Sequence, residues 1–305
     1  MSNLSDLSAL NLAPLFPTTY LGQRLLPAVH PGQASWVWAV KTIEGERIVR
    51  TSRWLRVPDE DFWQAALRLF QTDTSNMAQI GNLYRDLRAI SAIPIPEVLA
   101  MHKIGTRTFL ILENLPGYTL TSFNDLPNQS LAIFGKALAQ IHNYRYPCFG
   151  SLQMPQGCQP VTQFHTLAIS VMAYLVTRYY SQDRDLTDYW AESLDQWKDL
   201  PPTDFASPIM LDMDPSQFLT DGTTLTGMVD IELYVSAPRH LELIGLEYLF
   251  DQDHANAFRV GYETIMPLPS LEPFRKAYRL LLRLMSFQGS VDWHYWMNAP
   301  IRFEN

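Results

Sequence analysis

The chain is short of cysteine, of basic charge and of long apolar runs, and each shortage narrows what it can be. Only Cys148 and Cys158 occur, ten residues apart in a Gly/Pro-rich stretch. A disulfide framework is therefore not expected, and two cysteines without matching histidines make a poor zinc site. Lys and Arg number 23 against 31 Asp and Glu, a formal net charge of −8. That is the opposite of the basic field of a nucleic-acid binder, so no nucleic-acid partner is expected, and the charge mildly suits a cationic or metal-bridged ligand. No run approaches ~18 uninterrupted apolar residues, so no membrane partner is expected. Met1 to Phe16 lacks a basic segment followed by an apolar one and does not read as a signal peptide. The cytoplasm is the expected location. Nowhere do the glycines take the spacing of a P-loop or a dinucleotide fingerprint, and neither a His-Glu-x-x-His nor a Gly-x-Ser-x-Gly motif is present.

What is present is core-forming material. Hydrophobic residues make up 47% and charged residues 18% of 305 residues. That suffices for one large domain or two lobes sharing a cleft, and excludes wholesale disorder.

Residues 1–34, with Pro14, Pro17, Pro27 and Pro31, read as an N-terminal arm. From Ser35 to Lys41 bulky residues alternate, Glu44-Gly45 supplies a turn and Arg47 to Thr51 follows, which predicts a β-hairpin. Helical spacing runs over Pro58–Gln71 and Ser75–Ser91, and Pro94 and Pro96 stop the second helix. Two strands follow, Pro96–His102 and Arg107–Glu113. Residues 35–113 thus form a small, mostly antiparallel sheet carrying one or two helices. Residues 114–305 are mainly helical, with helices predicted at Leu131–Tyr144, Gln163–Ser181, Leu186–Trp197, Leu241–Phe250, Asp253–Ile265 and Leu271–Gln288. One β interruption breaks that run. It extends from Ile209 to Gln217, turns at Asp221-Gly222 and returns over Leu225 to Asp230.

This hairpin presents carboxylates at both ends. Asp212 and Asp214 precede it, Gln217 begins it, and Asp230 and Glu232 follow it. Antiparallel arms would bring Gln217 and Asp230 to the same end. Carboxylates converging in one cleft repel unless a cation or proton sits among them, and Mg²⁺ takes hard oxygen ligands shared with substrate phosphates. The alternative is a set of turn and strand-end residues facing water.

The run Ile209 to Leu219 resembles the catalytic loop of the aminoglycoside phosphotransferase and choline kinase type, whose pattern is His-Gly-Asp-x-x-x-x-Asn. Leu225 to Glu232 is similar to the metal-binding strand of that family. Ile93 to Val98 resembles its Val-Pro-Val-Pro strand entry, Leu112 to Leu120 its hinge, and Leu138 to His142 its Leu-His helix end. Together these cover roughly residues 35 to 250. The resemblance implies an α+β, protein-kinase-like, two-lobed fold and an ATP- or GTP- and Mg²⁺-dependent phosphotransferase. It implies Asp212 as the catalytic carboxylate and Asp230, Gln217 and Glu232 as metal ligands. Arg50 would meet the phosphates, with Gln79 of the second helix standing where a glutamate would pair with it, and Glu113, Asn114 and Leu115 would form the hinge against the base.

The departures lie in the support of these residues. Met210-Leu211 replaces His-Gly, Gln217 replaces the shorter Asn, and Gln79 replaces a glutamate. His30 to Ser35, with one glycine, makes a poor phosphate lid. The alternative to an active kinase is a catalytically silent kinase-like binding or regulatory protein. The expected partner is a hydroxylated small molecule, leaning cationic. That lean rests on the acidic and aromatic stretch Asp183–Asp204 and on Trp293, Tyr295 and Trp296, all of which an ordinary amphipathic helix pair would equally explain.

Overall fold

The computed structural model describes residues 7–28, 33–153 and 157–304. The predicted hairpin is β2 (Ser35–Thr42) and β3 (Gly45–Ser52), and Gly45 takes the φ of +120° that its turn requires. β5 (Arg107–Glu113) pairs with β3, and β4 (Val98–Ile104) lies beyond it at one edge. At the other edge β1 (Tyr20–Leu25) pairs with β2, giving an antiparallel sheet of order β1-β2-β3-β5-β4.

The first 34 residues are therefore not a detached arm in their described part. Leu12, Leu15 and Phe16 pack on Trp38, Val40, Val49, Phe109 and Ile111 across one face of the sheet. Gln23 fixes the segment, donating to the Leu10 carbonyl at 2.6 Å and accepting from the Leu12 amide at 2.7 Å. The strand hid in sequence because Gly22, Gln23 and Arg24 interrupt its apolar alternation. His30 to Gly32 lie outside the described residues.

The helical lobe holds α3 (Asn128–His142), α4 (Phe164–Tyr179), α5 (Arg184–Lys198), α6 (His240–Leu246), α7 (Gln252–Glu263), α8 (Glu272–Leu284) and α9 (Trp293–Met297), with short strands between α3 and α4 and between α5 and α6. α3 and α7 cross closely at two glycines. A Cβ on Gly135 would strike the Phe258 carbonyl, and one on Gly261 the Ala132 carbonyl. Before this lobe come α1 (Asp61–Phe70) and α2 (Met77–Ile90). α2 lays Ile80, Leu83, Tyr84 and Leu87 into the core at helical spacing and packs on β4 and β5. α1 leaves the sheet after β3 but packs on α4 and on β7 (Cys148–Ser151).

The predicted β interruption is two different pairings. β10 (Phe218–Thr220) and β11 (Leu225–Met228) form the hairpin, with β6 (Tyr118–Thr119) on the far side of β10. β9 (Ser207–Met210) instead pairs with β12 (Tyr234–Ala237), in a sheet of order β8-β7-β12-β9 with β8 at Gln159–Pro160. Asp214-Pro215 separates β9 from β10. The Asp214 carboxylate accepts the Ser216 amide at 2.8 Å and starts a 3₁₀ turn, so the strand cannot continue.

A second correction concerns the cysteines. Pairing of β7 with β8 brings Cys148 and Cys158 to a Cα–Cα distance of 5.6 Å, and they form a disulfide. Spacing alone did not reveal that a hairpin closes between them. Among the described residues no helix is long and apolar enough to cross a membrane.

Candidate active site

The sheet and the helical lobe enclose a cavity of about 730 Å³. Arg50, Glu113, Asn114, Leu115, Asp212, Gln217, Asp230 and Glu232 all line it. Gln79 does not lie among the lining residues.

The hairpin explains much of this convergence. Phe218 stands opposite Met228, and the Val229 amide donates to the Gln217 carbonyl at 2.7 Å. Gln217 and Asp230 therefore leave the hairpin at one end. Asp230 then takes left-handed backbone angles, φ 57° and ψ 44°, before the 3₁₀ turn Ile231–Leu233. An aspartate tolerates this region better than most residues, and such strain collects where a side chain must be aimed.

Arg50 holds the centre. Its Nη2 lies 2.5 Å from Asp230 Oδ1 and 2.8 Å from Glu232 Oε1, and its Nη1 donates to the Tyr84 hydroxyl at 3.1 Å. The Glu232 contact is a charge contact without the alignment of a hydrogen bond, since both Glu232 oxygens lack an aligned donor. Burial opposes the Arg50 charge, but the carboxylates of Asp230 and Glu232 outweigh it and hold the guanidinium protonated well above its usual range. Glu232 is pushed up by burial and by Asp230, against the pull of Arg50.

The helix residue that meets Arg50 is thus Tyr84, about one and a half turns beyond Gln79. The apolar periodicity of α2 was visible in sequence. The hydroxyl at its buried face was the missed signal, because a buried tyrosine needs a polar partner.

In the loop after β9, burial raises the Asp212 carboxyl to about 7, with further contributions from Asp230 and Asp214 and an opposing hydrogen bond from Gln217. That bond runs from Gln217 Nε2 to Asp212 Oδ2 at 3.1 Å, which orients the amide and leaves Gln217 Oε1 buried with no donor. Met210 and Leu211, replacing His-Gly, are buried core residues. At the hinge, Asn114 Nδ2 donates to Glu46 Oε2 at 3.1 Å, and the Glu113 amide donates to the Glu97 carbonyl at 2.9 Å. Leu115 packs over Gly227, where a Cβ would stand 2.7 Å from its Cδ1.

The acidic stretch Asp183–Asp204 contributes no lining residue. Trp190 and Trp197 are buried in the core, and Trp296 stacks on Tyr248 with ring centroids 3.6 Å apart. The basis on which a cationic ligand was expected is therefore absent from the cavity. Its carboxylates come instead from Glu60, Asp61 and Glu113, in addition to the hairpin set of Asp212, Asp214, Asp230 and Glu232. Among the described lining residues Arg50 is the one basic side chain.

Residues 37–265 match the model of the phosphotransferase enzyme family. The fold is similar to aminoglycoside phosphotransferase APH(4)-Ia, at 19% identity and TM-score 0.58 over 91% of this chain and 88% of that one. It is similar to the macrolide 2'-phosphotransferase MphH of Brachybacterium faecium, at 13% identity and TM-score 0.59 over 97% and 99%. Spectinomycin phosphotransferase APH(9)-Ia, in complex with ADP and spectinomycin, matches at 11% identity and TM-score 0.60 over 90% and 84%. No curated protein sequence matches the chain. The two-lobed α+β fold is that of the aminoglycoside phosphotransferases, and with a family match over most of its length the chain belongs to the phosphotransferase enzyme family.

Proposed function

We propose that the protein transfers the terminal phosphoryl group of ATP or GTP, with Mg²⁺, to a hydroxyl of a small molecule, leaning cationic. The observation that carries this reading is the meeting of Asp212, Gln217, Asp230 and Arg50 on one cavity. In the reaction the acceptor oxygen bonds to the terminal phosphorus as the bridging P–O bond breaks. The hydroxyl proton passes to Asp212, whose raised pKa suits a group that must accept one near neutrality. Arg50 is held within reach of the phosphate side by Tyr84 and Glu232, and its positive charge offsets that of the transferring group.

The side chains fit a magnesium ion in part. Among the described residues no three His, Cys, Asp or Glu groups converge as a closed cage. Magnesium seldom uses one, preferring one or two protein oxygens with waters and phosphate oxygens. Asp230 and the undonated Gln217 Oε1 provide that pair, and Glu232 stands behind them. Bound there, Mg²⁺ would neutralise charge on the phosphate oxygens.

Nucleotide use is supported by similar structures holding AMP-PNP with hygromycin B, ADP with spectinomycin, and GDP. The cationic lean is supported by the excess of carboxylates over the single guanidinium among the described residues lining the cavity.

Thermal denaturation with ATP or GTP, with and without Mg²⁺, tests the nucleotide half. A ligand at about a hundred times its Kd adds roughly 2.7 kcal/mol. Transfer from labelled nucleotide to a panel of amino alcohols, aminoglycosides and sugars tests the rest. Mg²⁺-dependent binding without transfer to any acceptor would favour the silent binder, and the absence of binding would refute both.

A further inference from the structure

We propose that Asp61 is a specificity-determining residue at the acceptor end of the cavity, where it receives an ammonium group of the molecule being phosphorylated. The inference rests on the phosphotransferase reading above. It assigns acceptor recognition to α1, which follows the sheet strand β3 in sequence but packs on α4 and β7.

The Asp61 carboxylate is held from three elements. Its Oδ2 accepts the Tyr180 hydroxyl at the end of α4, at 2.5 Å, and the Ser286 hydroxyl beyond α8, at 2.6 Å. Its Oδ1 accepts the Phe62 amide at 2.8 Å. A carboxylate offers about four acceptor positions, so these bonds leave roughly one open. All three donors are neutral, and among the described residues no basic side chain pairs with Asp61. Arg283 stands one layer back, 5.7 Å from the centre of the Tyr180 ring. A fixed, uncompensated carboxylate on a cavity wall suits a cationic N–H donor, because its ordering cost is already met.

Two neighbours point to a ligand independently. Trp63 lines the same cavity, its indole held edge-on by Trp54 at 4.8 Å, and an indole favours nearby positive charge. Thr74, only 4% exposed, also lines it and carries a hydroxyl with no hydrogen-bond partner among the described residues.

The turn after α8 links this site to the reacting centre. Ser286 and Gln288 adopt left-handed backbone with φ of 53° and 62°, and Gln288 Nε2 donates to the Met213 carbonyl at 2.8 Å. One strained turn therefore grips both Asp61 and the loop bearing Asp212. The spacing between an acceptor's ammonium and its reacting hydroxyl is selected by that grip.

The test uses amino alcohols and amino sugars, each paired with its N-acetylated form, which keeps the hydroxyls and loses the charge. The wild type should show kcat/KM at least ~10-fold higher for the free amine, the order of one charge-assisted hydrogen bond. Asp61→Asn keeps the shape and should erase that preference by raising KM for the amine, with kcat and the KM for nucleotide little changed. Ser286→Ala, which loosens the carboxylate without removing its charge, should raise the same KM by a smaller factor. A thermal shift of Asp61→Asn by Mg·ATP equal to that of the wild type establishes that the variant is folded. Equal use of amine and N-acetyl forms by the wild type, or an unchanged preference in Asp61→Asn, overturns the assignment while leaving phosphotransfer intact. Failure of the wild type to phosphorylate any member overturns the underlying reading and this assignment with it.

Discussion

The buried Glu242 carboxylate accepts the backbone N–H of Met210 at 2.8 Å through Oε1, while its Oε2 meets His142 Nε2 at 2.5 Å. His142 is held in turn by the Tyr262 hydroxyl at 2.8 Å. Met210 stands where a histidine would brace the candidate catalytic loop, so the loop is anchored through its main chain from α6. Replacing Glu242 by Leu leaves a buried N–H unpaired. The expected cost is about 1–3 kcal/mol, read as a lower urea midpoint. A drop in kcat beyond the loss of folded protein would show that the anchor also aligns Asp212.

Asp212→Asn removes the group proposed to take the acceptor proton and preserves shape. Transfer should fall by ~10²–10⁴ while the Mg·ATP thermal shift survives. The variant should be no less stable than the wild type, because burial, Asp230 and Asp214 already act against the charged carboxylate. Undiminished turnover would remove Asp212 from its assigned role.

Asp230→Ala should separate binding from fold. Arg50 keeps Tyr84 and Glu232 as partners, so the protein should stay folded, with a Tm within a few degrees of the wild type. The Mg²⁺-dependent part of the nucleotide shift should disappear, since one of the two protein oxygens proposed for the ion is lost. A nucleotide titration with Mg²⁺ and with EDTA measures both arms.

Much of this site was legible because its key residues are close in sequence. Asp212, Gln217, Asp230 and Glu232 flank one hairpin, whose turn at Asp221-Gly222 announces itself. The partner of Arg50 was not legible, since Tyr84 and Gln79 share one helix and which face meets the strand is set by packing. Asp61, Tyr180 and Ser286 converge from three distant stretches, and no local pattern records that meeting. β1 and the disulfide were missed for a related reason. Each depends on a pairing partner, β2 or β8, rather than on its own composition.

The crossing of α3 and α7 has no room for a methyl group. At Gly135 and Gly261 an added Cβ would meet carbonyl groups of the facing helix, which cannot rotate away as a side chain can. Gly135→Ala and Gly261→Ala should each destabilise by about 1–3 kcal/mol through forced separation of the helices, despite the better helix propensity of alanine. Denaturant titration checks this. A neutral or stabilising result at either position would mean that the helices can slide apart freely.

Two half-buried histidines should each cost stability as the pH falls below neutrality. Burial lowers His165 to about 4, and its Nε2 lies 2.9 Å from the Tyr278 hydroxyl. His240 is lowered to about 3 by burial, with smaller contributions from Arg239, His142 and His165. In the unfolded chain both histidines titrate near ~6.5. Between that pH and about 4, the unfolded state therefore binds protons that the folded state refuses. Stability rises with pH wherever the unfolded state holds more protons, so the contribution of these histidines falls as pH is lowered through this window. Asp212, raised to about 7, gains its proton in the folded protein over the same window and offsets part of this loss. The measurement is therefore the difference between proteins. From neutrality to about 4, the urea midpoint of His165→Gln should fall less, or rise more, than that of the wild type. The same pH dependence in the wild type and His165→Gln would show that His165 gains its proton in the folded protein as easily as in the unfolded one.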